Sequence, residues 1–119
     1  MKKNPAIILG HILESIDRIE GYMIGKTQDD LSQSVALQDK ILYRLAVIGE
    51  ASNALPKEIQ SQYDNIPWRD IVGLRNIVIH EYYGVSLDEV FDTVTKDLPV
   101  LKIQVEAMVA EISQKASEI

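Results

Sequence analysis

From Leu87 to Ile112 the apolar residues Leu87, Phe91, Val94, Leu98, Leu101, Val105, Met108 and Ile112 recur at spacings of four and three without a break. At 3.6 residues per turn this alternation lays one apolar seam along a helix of roughly seven turns. Such a seam has to leave water, which commits the chain to packing helix against helix. Ser86-Leu87-Asp88-Glu89 opens the helix as a capping box, in which Ser86 caps the amide of Glu89 while the Glu89 side chain reaches back. Pro99 falls inside the seam, removes a backbone donor and crowds the carbonyl four residues earlier, so this long C-terminal helix is expected to be kinked.

The remaining chain supplies three partners for that helix. The first is expected from about Pro5 to Ile24, with Asn4 as N-cap and Pro5 at the first helical position, where a missing N–H costs nothing. Its stripe is Ile8, Ile12, Ile16, Ile19 and Met23, and Gly25 provides the stop. The second runs from about Ser34 to Leu55, ahead of Pro56, with Leu37, Ile41, Leu45 and Ile48 on one face and Lys40 and Arg44 on a neighbouring one. A loop through Asp64-Asn65-Ile66-Pro67 leads to the third, from about Pro67 to Tyr82 and closed by Gly84. In that helix Ile71, Leu74 and Val78 form one apolar stripe, and Val72 and Ile79 form a second about 100° away. Four amphipathic helices with short connections imply an all-α, up-and-down four-helix bundle. The second stripe on the third helix suggests either deeper burial or a subunit interface, and in so small a chain a homodimer is the favoured reading.

A length of 119 residues with 46% hydrophobic content suits a single domain over residues 1–119, folding without help from metal or disulfide. The chain has no cysteine, which excludes a disulfide framework and thiolate metal sites. The apolar run Ile7-Ile8-Leu9 is soon interrupted by His11, Glu14, Asp17 and Arg18, so neither a signal peptide nor a membrane segment is expected and the default location is the cytoplasm. A formal charge of −6 argues against broad affinity for nucleic acid, while leaving room for a small cationic cleft.

Several motifs fail on inspection. Gly25-Lys26-Thr27 resembles the end of a phosphate-binding loop, but Gly21 stands one residue too close and no strand leads in. His80-Glu81 begins like a zinc-protease motif, yet Gly84 occupies the place of the second histidine, and the other histidine, His11, lies among apolar neighbours on the first helix. No metal or cofactor is called for. The segment from Trp68 to Gly84 is richer, because it gathers Arg, Asn, His and Tyr on one helix. Projected as a continuous helix, Arg69, Gly73, Asn76 and His80 fall within about 60° of one another, and Arg75 and Tyr82 share another face. A histidine can move protons near neutral pH, a guanidinium can hold a phosphate and offset its developing charge, and an asparagine can position either. One histidine cannot easily be acid and base together, but a dimer that faces two such helices supplies both. The spacing by itself leaves a second reading open, with Arg75 a solvated or ion-paired surface residue and His80 placed for a helix C-terminal dipole.

Arg75-x4-His80-x-Tyr82, with Asn76 directly after the arginine, resembles the R-x4-6-H signature of HEPN ribonucleases in the form found in HepT-like toxins. Ile48-Gly49-Glu50-Ala51, Pro67-Trp68 and Asp97-Leu98-Pro99-x-Leu101 are similar to that family as well, in the same order along most of the chain. The resemblance implies a four-helix HEPN bundle, a homodimer whose cleft joins two signatures, and metal-independent cleavage of cellular RNA, tRNA or mRNA. It implies Arg75 and His80 as catalytic residues and Asn76 as a supporting one. It further implies the toxin role in a type VII toxin–antitoxin system, paired with an MNT-type nucleotidyltransferase antitoxin that silences the toxin by transferring AMP to Tyr82. Lys40, Arg44 and Arg69 are candidates for an added RNA-binding rim. The competing reading is a non-catalytic helical interaction module that binds a nucleotidyltransferase through the same face.

Overall fold

The computed structural model describes residues 4–76 and 86–117, and these are helical with no strand among them. Helix α1, Pro5–Met23, starts where expected: the Asn4 side chain accepts from the Ala6 N–H and Pro5 occupies the first turn. Helix α3, Val35–Ala54, starts at Ser34, whose hydroxyl accepts from the Leu37 N–H. Between them lies α2, Gln28–Gln33, a short helix where the sequence reading expects only loop. Thr27 and Asp30 cap it reciprocally. Another short helix, α4, Lys57–Gln62, follows Pro56 and is tied back to the end of α3 by Gln60, which donates to the Ser52 carbonyl at 3.0 Å. Both were missed for one reason: six residues are too few to display a period of 3.6.

Helix α5, Trp68–Gly73, begins at the expected place. The later part of the chain opens with α6, Leu87–Asp92, capped by Ser86, and continues through a π turn, Thr93–Asp97, into α7, Leu98–Ser117. A kink is expected at Pro99; the structure shows a change of winding just before it. The carbonyl that Pro99 would crowd is that of Thr95, inside the π turn, where the Leu98 N–H reaches back five residues to Thr93. The Thr95 hydroxyl donates to the Phe91 carbonyl at 2.7 Å.

Helix α1 is the shared partner. It packs against α3 and α7, and cross-helix contacts set both directions: Lys40 near the start of α3 meets Tyr22 near the end of α1, and Lys102 near the start of α7 meets Asp17 and Glu20. Both neighbours therefore run antiparallel to α1. The core contains Ile8, Leu9, Ile12, Ile16 and Ile19 from α1, Ile41, Leu42, Leu45 and Ile48 from α3, and Leu98, Leu101, Val105 and Met108 from α7. These residues coincide with the expected stripes, except that Leu9 and Leu42 widen them by one position each. Gln28 donates to Asp88, joining α2 to α6. No helix among the described residues is long and apolar enough to cross a membrane.

Lys102 is the charged tie between α1 and α7, with its ammonium 2.9 Å from Glu20 and 3.2 Å from Asp17. The hydrogen bond to Glu20, followed by that to Asp17, pushes its pKa up from 10.5 to about 12. A raised amine pKa means that the folded state holds this proton more tightly. The contribution is complete below 10.5 and is lost as the pH climbs through about 12. Denaturant midpoints measured against pH should show a constant gap between wild type and Lys102→Met up to that lower value, closing above it.

Candidate active site

The site is assembled where the third segment of the chain crosses α3. Its entry is fixed by Trp68, which is buried and donates from its indole Nε1 to the Tyr63 carbonyl at 3.0 Å. The Trp68 N–H reaches the Ile66 carbonyl at 2.8 Å, so the loop and the first turn of α5 are held together. Ile71 is buried and Leu74 partly so, which turns the apolar side of α5 inward.

Helix α5 ends at Gly73, and the part of the expected helix beyond Asn76 lies outside the described residues. After Gly73 the ladder tightens: the Leu74 N–H bonds to Ile71 and the Arg75 N–H to Val72, each three residues back rather than four. The backbone stays right-handed helical at Leu74 (φ −59°, ψ −27°), so the turn tightens the winding without reversing it. Arg69 is exposed on α5, Arg75 follows the tightened turn, and Asn76 is exposed and again helical.

Gly49 of α3 lies directly beneath that turn. A Cβ at this position would stand 2.5 Å from the Arg75 nitrogen, 3.0 Å from the Val72 oxygen and 3.1 Å from the Arg75 Cβ. It would sit on the very hydrogen bond that closes the turn. One residue on, Glu50 places Oε1 at 3.8 Å from Nη1 of Arg75, with side-chain exposures of 64% and 35%. Neither Gly49 nor Glu50 is given a role by sequence reasoning, although both stand in the stretch Ile48-Gly49-Glu50-Ala51. The usable signal is a glycine within a long helix, which costs about 0.5–1 kcal/mol relative to alanine unless something must come close.

The other expected site residues are more dispersed. Lys40 and Arg44 stand nine and five residues before Gly49, roughly 180° and 140° around α3, so they project from the opposite side. There Lys40 lies 5.6 Å from the Tyr22 ring and Arg44 5.3 Å from the Tyr43 ring. His80, Tyr82, Tyr83 and Gly84 lie outside the described residues. Among the described residues no three His, Asp or Glu side chains gather as a metal-ligand set. A groove of about 480 Å³ between α5 and α7 is bordered by Asp70 and Asp97 and includes neither Arg75 nor Asn76. Two carboxylates on its walls suit it poorly to a polyanion.

The sequence model described as "Ribonuclease HepT-like" matches residues 12–108. The chain belongs to the HepT-like ribonuclease family. Among curated relatives, a "Putative RNase" of Caldanaerobacter subterraneus is 34% identical over 113 residues, covering 95% of this chain and 97% of the relative. The "Probable ribonuclease HepT" of Thermococcus cleftensis is 32% identical over 102 residues, covering 86% and 93%. A "Gamma-glutamylcyclotransferase and putative RNase" of Methanocaldococcus jannaschii is 41% identical over 114 residues, 96% of this chain. This chain spans only about half of that relative's length, at 51%. No solved structure matches the chain significantly. Within the HepT-like family the matched region includes α3, α5 and the whole Arg75–Tyr82 signature.

The contact at Gly49 yields a signed prediction. Gly49→Ala should destabilise the fold by about 1–3 kcal/mol, the usual cost of overpacking, because the added methyl meets backbone rather than a pliable side chain. Gly10→Ala, also within a helix but with open space around its Cβ position, should instead stabilise by about 0.5–1 kcal/mol. Urea midpoints of the two variants against wild type read both signs.

Proposed function

We propose that this chain is the toxin of a type VII toxin–antitoxin system, a cytoplasmic, metal-independent endoribonuclease that cleaves tRNA or mRNA as a homodimer of four-helix HEPN bundles. Membership of the HepT-like ribonuclease family carries the reading. The seating of Arg75 supports it: a half-exposed guanidinium on a backbone pressed against α3 is preorganised to receive an anion.

In this reading His80 of one protomer takes the proton of a ribose 2′-hydroxyl, and the 2′-oxygen attacks the adjacent phosphorus. His80 of the partner protomer gives a proton to the departing 5′-oxygen. The products are a 2′,3′-cyclic phosphate and a 5′-hydroxyl. Arg75 holds the phosphate and offsets the charge that builds on its oxygens, and Asn76 orients the reacting groups. Arg69 adds to the cationic rim, while Lys40 and Arg44 serve RNA farther from the scissile bond. An MNT-type nucleotidyltransferase antitoxin silences the toxin. The Tyr82 phenol attacks the α-phosphorus of ATP, pyrophosphate leaves, and the AMP so attached brings a phosphate that competes for Arg75.

The Glu50–Arg75 ion pair and the net charge of −6 favour one alternative, a non-catalytic module in which this face recognises the nucleotidyltransferase. Cleavage of total tRNA and of an mRNA in EDTA separates the two. The ribonuclease reading expects cleavage by wild type and a loss of about a hundredfold or more in both Arg75→Ala and His80→Ala. Folded wild-type protein, shown by mass to be unmodified, that leaves both RNAs intact would favour the module. Tyr82→Phe should cleave like wild type yet gain no AMP when incubated with ATP and the transferase. AMP on that variant at the wild-type level would move the modification elsewhere.

A further inference from the structure

Glu50 is the anionic side chain set against the residue assigned to hold the phosphate, an arrangement that works against RNA binding unless it serves something else. The carboxylate oxygen is 3.8 Å from Arg75 Nη1, within ion-pair range but beyond a hydrogen bond. It attracts the guanidinium from one end without clamping it. A guanidinium has a second edge, Nε with Nη2, whose two parallel donors match a phosphate. Glu50 and Gly49 are consecutive on α3. Gly49 sets where the Arg75 backbone lies, and Glu50 acts on the far end of the same side chain.

We propose that Glu50 is a positioning residue for Arg75: its charge draws Nη1 toward α3, which leaves the Nε–Nη2 edge to face the scissile phosphate. This rests on the ribonuclease reading above. The residue acts through Arg75 and touches neither RNA nor the reacting atoms. An arginine side chain has many rotamers, and fixing its direction before substrate arrives lowers the barrier of the chemical step. The negative charge also costs some RNA affinity. Positioning therefore leaves a particular signature, in which removal of the charge lowers kcat while KM stays level or falls. General damage to the fold does not produce that split.

The test is steady-state cleavage of total tRNA in EDTA by wild type, Glu50→Gln, Arg75→Lys and the double variant. Glu50 is largely exposed, so Glu50→Gln should fold with an unchanged unfolding midpoint. Its kcat should fall roughly ten- to a hundredfold with KM equal to or below that of wild type. On the Arg75→Lys background, which no longer has the fork to be aimed, the same change should cost less than about threefold. Equal losses on both backgrounds would show that Glu50 acts through something other than Arg75 and would overturn the proposal. A rise in kcat would do so too, by making Glu50 a competitor for the guanidinium. Full activity in Glu50→Gln, with Arg75→Lys impaired, removes the positioning role and leaves the ribonuclease reading standing. Full activity in Arg75→Lys and in Arg75→Ala would remove both.

Discussion

Where α3 meets the turn that follows α5, there is no room for a side chain. The Cβ that any residue but glycine would carry at position 49 overlaps the hydrogen bond from Arg75 to Val72. The placement of Arg75 depends on this contact. The α1, α3 and α7 core holds α3 in place through Ile41, Leu45 and Ile48, and α3 in turn offers Gly49 as a seat. On that seat the backbone tightens to bonds three residues back, and Arg75 leaves the turn half-exposed beside Glu50. The packing of a small helical core is thus converted, in two steps, into the placement of one guanidinium. Backbone set against backbone is a stiff support, since neither side has a rotamer with which to yield.

Electrostatics completes the picture. A chain with a net charge of −6 repels a polyanion overall. Lys40 and Arg44 project from the far side of α3 and stack over tyrosine rings there. What concentrates charge usefully is geometry: one arginine held against a helix, with a carboxylate at one end of its fork. A second copy of the chain in a proposed dimer would double that local field without changing the acidic exterior. Selectivity for a particular RNA would then come from shape and site geometry more than from general attraction.

Much of the fold was legible from periodicity because the three long helices carry their buried residues at helical spacing. Ile8, Ile12, Ile16 and Ile19 are buried as their spacing requires, and so are the central residues of the seam from Val94 to Met108. Asn4 and Ser86 cap the helices that their positions announce, although at Ser86 only the bond from the Glu89 amide to the serine hydroxyl forms. The short helices α2 and α4 escaped notice, although Thr27 and Asp30 form a reciprocal cap, because a cap without a following stripe reads as a turn. Pro99 announced a disturbance, but its form, a π turn one step upstream, depends on where the Thr95 carbonyl can go. At the site, Arg75 and Asn76 were expected from the resemblance to the HepT-like signature, since chemistry and spacing alone left a surface role open. Gly49 and Glu50 were not assigned roles, because what they touch lies about 25 residues away in sequence.

Arg75, so seated, is proposed to serve a cleavage in which the ribose 2′-hydroxyl is the nucleophile and no metal takes part. The chemistry of the new RNA ends tests it most directly. RNA cut by the purified protein in EDTA should carry 2′,3′-cyclic phosphate on the upstream fragment and a free 5′-hydroxyl on the downstream one. Fragments ending in 5′-phosphate, or cleavage that appears only when a divalent cation is restored, would contradict the account.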